Sequence, residues 1–163
     1  MEKVAHVFGP VWDRHSRVLI LGTMPSPRSR ASGFYYGHPR NRFWQILAAV
    51  LGQDVPTGVE ARRTFSLNNK IALFDVLQSC EISGAADSTI INPIPNDFSG
   101  ILAGSDICAV FTTGRKATAL YCRLCFPATG IPARYLPSPS PANCACGMEK
   151  LVSAYGEITE FLH

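Results

Sequence analysis

A chain of 163 residues, 47% of them hydrophobic and 17% charged, is long and apolar enough for one substantial core, so a single globular domain over residues 1–163 is expected. Its formal net charge of +3 admits an anionic partner without demanding one. No apolar run reaches the roughly 20 residues of a membrane span, which excludes a helical membrane protein. MEKVAHVFGP at the start has no apolar leader, and six cysteines without a secretory signal read as free thiols. The expectation is a cytoplasmic protein with no membrane partner.

Residues 1–16 mix polarities without a period and are expected to be mostly irregular, packing through Val7, Phe8 and Trp12. Residues 17–21, RVLIL, are a short apolar run stopped by Gly22, the pattern of a buried parallel strand. GTMPSPRSRAS follows, too rich in proline, serine and glycine for a helix, and leads into GFYYGHPRNRFW at residues 33–44. Over residues 41–51 the apolar positions Phe43, Ile46, Leu47, Val50 and Leu51 recur with a helical period, and Gly52 ends it. A turn at 53–58 and a weaker helix at 59–67 precede KIALFDVL at 70–77, a second buried strand. Residues 79–97, with Gly84, Pro93 and Pro95, read as a long loop of the functional or disordered kind. A short helix at 98–102, a third strand at 107–112, a helix from Gly114 to about residue 125 and a turn at 127–132 come next. The fourth strand, 134–136, runs into PSPSPAN. There Ser140 and Pro141 look like an N-cap and first helical residue of a last helix reaching about residue 161. Alternating strands and helices imply α/β architecture, a parallel sheet with helices on both faces.

Residues 33–44 concentrate candidate chemistry. Gly37-His38-Pro39 is a shaped turn, flat tyrosine rings suit a flat substrate, and the Asn41 amide both donates and accepts. Arg28, Arg30, Arg40 and Arg42 cluster around it and suit phosphates. In open α/β sheets the crevice forms at the carboxyl ends of the strands, which brings together GTMPS, the aromatic loop and LPSPSPAN. The proline-serine array suits a phosphodiester, helped by the dipole of the helix expected to start there. Asp75 in an apolar strand must be hydrogen-bonded, either as a structural acceptor for loop amides or as a substrate contact. Cys122-x-x-Cys125 and Cys144-x-Cys146 fall in or at the start of expected helices rather than in paired knuckles, so no metal site is expected. GxxxxGK[ST], GxGxxG and GxSxG are all missing, and no cofactor is expected.

GTMPS, YYGHPRNRFW and LPSPSPAN, in this order and spacing, resemble the uracil-DNA glycosylase superfamily and, within it, the hypoxanthine-DNA glycosylase (DNA-deoxyinosine glycosylase) family. The mismatch-specific uracil/thymine glycosylases share the HP-N-FW pattern. The resemblance implies a three-layer α/β/α sandwich with a short four-stranded parallel sheet. It implies an enzyme of base excision repair that hydrolyses the N-glycosidic bond of a deaminated base, hypoxanthine above all, flipped out of double- or single-stranded damaged DNA. By the same resemblance Asn41 is the main catalytic group, Tyr36 stacks on the extruded base, and Gly22, Thr23, Met24 and Pro25 line its pocket; Asp75, from its place in an apolar strand, is a further candidate contact. Arg40, Ser138, Ser140, Pro141, Ala142 and Asn143 are the expected DNA contacts, with a wedge near 141–143. His38 is the rival catalytic residue, as a proton donor, although its place between Gly37 and Pro39 favours ordering the loop.

The uracil enzymes carry an acid in the first motif where GTMP has none, and Leu136 stands where a histidine opens their second motif. Both differences count against strong uracil excision. No lysine falls in the matched motifs, which implies a monofunctional enzyme, expected as a monomer. The alternatives are a G:U/G:T mismatch-specific uracil/thymine glycosylase, or a non-catalytic DNA-binding module on the same fold.

Overall fold

The computed structural model describes residues 2–25, 27–83 and 86–163, and at 27 and 28 the backbone alone. Ser26, Gly84 and the Arg28 side chain, named above, lie outside the described residues. The chain begins with β1 (Glu2–Ala5), β2 (Val18–Gly22), α1 (Pro27–Ser32), α2 (Phe43–Leu51) and α3 (Val59–Asn68). It continues through β3 (Ile71–Asp75), β4 (Leu77–Ile82), a 3₁₀ turn (Asp87–Thr89), β5 (Ile91–Pro95) and α4 (Ser99–Gly104). It ends with β6 (Ala109–Thr113), α5 (Arg115–Leu124), α6 (Phe126–Thr129), β7 (Ala133–Leu136), α7 (Met148–Tyr155) and a 3₁₀ segment (Gly156–Phe161).

The four expected strands form one parallel sheet in the order β3-β2-β6-β7. Its three inner-sequence runs, VLILG, IALFD and AVFTT, are buried at every residue, as two-sided coverage requires. Helix α3 packs on β3, α5 on β6 and β7, and α7 on both β7 and α2, which gives the α/β/α sandwich. Helix α2 turns Phe43, Trp44, Ile46, Leu47 and Ala48 inward and closes on Gly52, whose φ of 65° is the left-handed stop. Each large apolar side chain fully buried here is worth about 1.5–3 kcal/mol. No described helix is long and apolar enough to cross a membrane.

Several expectations fail, each for a physical reason. Residues 79–97 are not a loop: β4 and β5 lie in a second, antiparallel sheet of order β1-β4-β5. Pro93 and Pro95 are tolerated because β5 is its edge strand, where a missing N–H costs no ladder bond. Residues 6–16 are irregular as expected, apart from an isolated bridge at Val11, but β1 before them pairs along β4 from Glu2 opposite Ile82 to Ala5 opposite Ser79. Val7 is 61% exposed rather than packed, while Phe8 and Trp12 do pack against the core. The strand expected at 70–77 ends at Asp75, and Leu77 already belongs to the other sheet. GTMPSPRSRAS contains the helix α1, with Pro27 at its first position, where proline is well tolerated.

The last helix starts at Met148, capped by Gly147, rather than at Pro141. The guanidinium of Arg42 takes up the carbonyls of Ser140, Asn143 and Cys146, which a helix from Pro141 would need for its own ladder. Residues 141–147 are therefore turns, with Ser140 Oγ accepting from the Ala142 N–H at 3.2 Å. The helix dipole expected beside PSPSP is displaced along the chain.

Candidate active site

All four parallel strands end on the same side of the sheet, and register pairs Gly22 with Asp75 and Thr113 with Leu136 there. One cleft opens at those ends. Gly22, Thr23, Met24 and Pro25 line it from β2, Asp75 from β3, Thr113 from β6, and Ser138, Pro139 and Ser140 from beyond β7. The aromatic loop adds Tyr35, Tyr36 and Asn41, α1 adds Ser29 and Arg30, and the small sheet with its turn adds Val4, Ile82 and Asp87. The three sequence segments thus meet. His38, Arg40, Pro141, Ala142 and Asn143 are not among the lining residues.

Tyr36 carries a φ of 53°, a left-handed conformation unusual for an aromatic residue and maintained only where its surroundings enforce it. Here one ring face stacks on Phe43, centroids 3.8 Å apart and planes 13° apart, and the hydroxyl lies 3.3 Å from Thr113 Oγ1. Tyr36 also lines the cleft. Burial, then the Asp75 charge, pushes the Tyr36 phenol well above its ordinary pKa, so it stays neutral. Gly37 is needed for shape, since its N–H donates to Ser29 Oγ at 2.9 Å and an added Cβ would run into the Ser32 side chain.

Asn41 Oδ1 accepts the Phe43 N–H at 2.9 Å, satisfying one of the open donors at the start of α2. That bond fixes which end of the amide is which. Nδ2 has no hydrogen-bond partner among the described residues, and Asn41 lines the cleft. His38 works within its own turn: its Nδ1 accepts from the Arg40 N–H at 3.0 Å, and its carbonyl accepts from the Asn41 N–H at 2.9 Å. Arg40 is exposed next to the cleft.

Arg42 neither holds an open phosphate site nor floats in solvent. Its Nη1 donates to the Cys146 carbonyl at 2.6 Å, its Nη2 to those of Ser140 and Asn143 at 3.1 and 3.0 Å, and its backbone N–H to the Pro139 carbonyl at 3.1 Å. The loop expected to face DNA is therefore tied to the residue after Asn41. Within that loop Asn143 Nδ2 donates to the Ser138 carbonyl and Ser138 Oγ accepts from the Ser140 N–H. Pro141 and Asn143 are half-buried and Ala142 exposed.

Asp75 is held by a histidine rather than by loop amides: its Oδ2 lies 2.7 Å from His6 Nε2, with the two side chains only 5% and 4% exposed. The imidazole is boxed edge-on by Phe8 and Phe74 at 5.1 Å, and Tyr35 lies 5.9 Å away. His6 Nδ1 is buried without a hydrogen-bond partner among the described residues. A carboxylate only accepts, so His6 Nε2–H donates in this contact. On the other side, a Cβ on Gly22 would come within 2.7 Å of Asp75 Oδ1, and the carboxylate occupies the space that the glycine leaves.

Sequence reasoning missed His6, Arg42 as a loop tie, Thr113 and Asp87. A lone histidine in an aperiodic stretch carries no signal for its role. The cysteines make no shared site: Cys80 and Cys125 are buried, and Cys108, Cys122 and Cys144 are exposed. Burial lifts the Cys125 thiol to about 11. Among the described residues no group of three or more His, Cys, Asp or Glu is placed to hold a metal.

Comparison with known proteins now adds to the geometry. The family model described as the Uracil DNA glycosylase superfamily matches residues 10–159. A protein of Methanosarcina acetivorans named hypoxanthine DNA glycosylase is 33% identical over 138 residues, 83% of this chain and 86% of that protein. One of Methanosarcina barkeri with the same name is 38% identical over 93 residues, 56% of this chain and 59% of that protein. The solution NMR structure of a candidate uracil DNA glycosylase from Methanosarcina acetivorans superposes with a TM-score of 0.79 at 28% identity, covering 95% of this chain and 98% of that one.

Proposed function

The chain belongs to the uracil DNA glycosylase superfamily, a group of DNA glycosylases, and on that premise we propose that it is a monofunctional enzyme of base excision repair that releases hypoxanthine from DNA. One observation carries the reading: the Tyr36 ring, the Asn41 amide and the Asp75 carboxylate line one cleft. Deamination of adenine turns C6–NH₂ into a carbonyl and N1 from an acceptor into an N–H donor. Asp75 is an acceptor in a dry floor, where it accepts that N–H and repels the N1 lone pair of adenine. Tyr36 stacks on the flipped ring through the face that Phe43 does not cover. Asn41 Nδ2 donates to the purine as the bond to the sugar breaks and negative charge develops on the base. His38 keeps Asn41 in register, and Arg40 with the loop of Ser138, Ser140, Pro141, Ala142 and Asn143 contacts the DNA backbone and the vacated stack.

Single-turnover excision on matched duplexes holding one inosine, one uracil or one G·T mismatch, scored by alkaline cleavage at abasic sites, tests this. Hypoxanthine is expected to leave fastest. A preference for uracil or mismatched thymine would assign the protein to the mismatch-specific reading, because uracil also offers an N–H between carbonyls to Asp75. Binding without turnover on any of the three would leave only a DNA-binding module.

A further inference from the structure

We infer that Asp87 is the catalytic carboxylate that orients and deprotonates the attacking water, a role that rests on the glycosylase reading above. The segment Gly22-Thr23-Met24-Pro25 carries no acid of its own, yet Thr23 Oγ1 donates to Asp87 Oδ2 at 3.3 Å, and both residues line the cleft. The first segment thus borrows an acid from the turn between β4 and β5. Asp87 Oδ1 has no protein partner among the described residues and is available to a water. Asp75 is unsuited to the task, since His6 occupies its Oδ2 and its Oδ1 is the acceptor assigned to the N–H of the base.

The step balances simply. The water oxygen bonds to C1′ as the C1′–N9 bond breaks and its electron pair departs on the purine, where Asn41 Nδ2 stabilises it. One water proton passes to Asp87 Oδ1 and on to solvent, and the purine anion takes a proton from solvent. Asp87 is exposed as a residue, and partial loss of hydration together with the charge of Asp75 holds its carboxyl above the ordinary aspartate range, opposed by the Thr23 hydroxyl and Lys116. Cys80 from β4 also lies within its electrostatic reach, and Arg30 from α1 lines the same cleft. A carboxylate of raised pKa is the stronger base once ionised, so excision rises with pH through its titration.

Asp87→Asn keeps an acceptor for Thr23 and removes the base. In single-turnover assays on the three duplexes it should lower the rate on every base the wild type excises by about 10²-fold or more. The ratio between bases and the affinity for DNA should stay as in the wild type, and the acid limb of the pH profile should disappear. Asp87→Ala should behave alike. A rate within about threefold of wild type would overturn the assignment. So would a loss confined to one base, which would make Asp87 a base contact. A wild-type enzyme that prefers uracil would instead overturn the hypoxanthine reading while leaving the Asp87 comparison intact.

Discussion

At the scale of single residues, Asn41 has two jobs that substitution separates. Asn41→Ala removes both the donor to the cleft and the acceptor for Phe43 N–H, so excision should fall by about 10²–10³-fold, with about 1 kcal/mol of stability lost as a helix-capping acceptor disappears. Asn41→Asp retains the acceptor, removes the donor and adds a negative charge to the cleft. It should unfold near the wild-type temperature yet remain inactive, and if it excised at the wild-type rate the amide donor would not matter. His38→Ala should lose less than Asn41→Ala, because its ring bonds inside its own turn. Gly22→Ala is the smallest change with a large expected effect. The new methyl meets Asp75 Oδ1, so excision should drop sharply on all lactam bases while DNA affinity, measured on a non-cleavable duplex, holds. The pairing of Asp75 with His6 predicts that His6→Ala costs about 1–3 kcal/mol in denaturant unfolding and weakens discrimination between inosine and uracil. These residues were unequally legible. Asn41, Tyr36 and the GTMP glycine stand in unusual local sequence, whereas the partner of Asp75 lies 69 residues away in a stretch with no pattern of its own.

Among elements, the loop after β7 depends on a side chain from the start of α2. Arg42→Lys keeps the charge but offers one point donor where a planar fork now serves the carbonyls of Ser140, Asn143 and Cys146. The loop should loosen, seen as faster proteolysis near residues 141–147, and weaker DNA binding should accompany it even where chemistry on bound substrate is little changed. Equal proteolysis of the variant and wild type would show that the loop holds itself. The same bonds explain why the final helix was misplaced: Ser140 and Pro141 are a sound local helix start, and only a tertiary contact from Arg42 overrides it. The parallel strands were legible because two-sided burial leaves continuous apolar runs. Strands β4 and β5 were not, because the polar exposed positions of β4 and the edge prolines of β5 look like loop.

For the whole molecule, charge and topology act together. Arg30 and Arg40 lie in or beside a cleft at the carboxyl ends of the sheet, on a chain with a net charge of only +3. DNA affinity should therefore fall with salt, and Arg40→Ala should reduce the slope of log K against log salt by about 1 without altering base preference. An unchanged slope would remove Arg40 from the phosphate contacts. The α/β/α layering was readable from alternation alone. The second sheet was not, although it contributes Val4, Ile82 and the turn bearing Asp87 to the cleft.

That second sheet has a practical side. Strand β1 zips onto β4 and delivers His6 to Asp75 one residue later. Loss of the first strand would therefore cost stability and activity together, since it removes buried Val4 and frees the partner of Asp75.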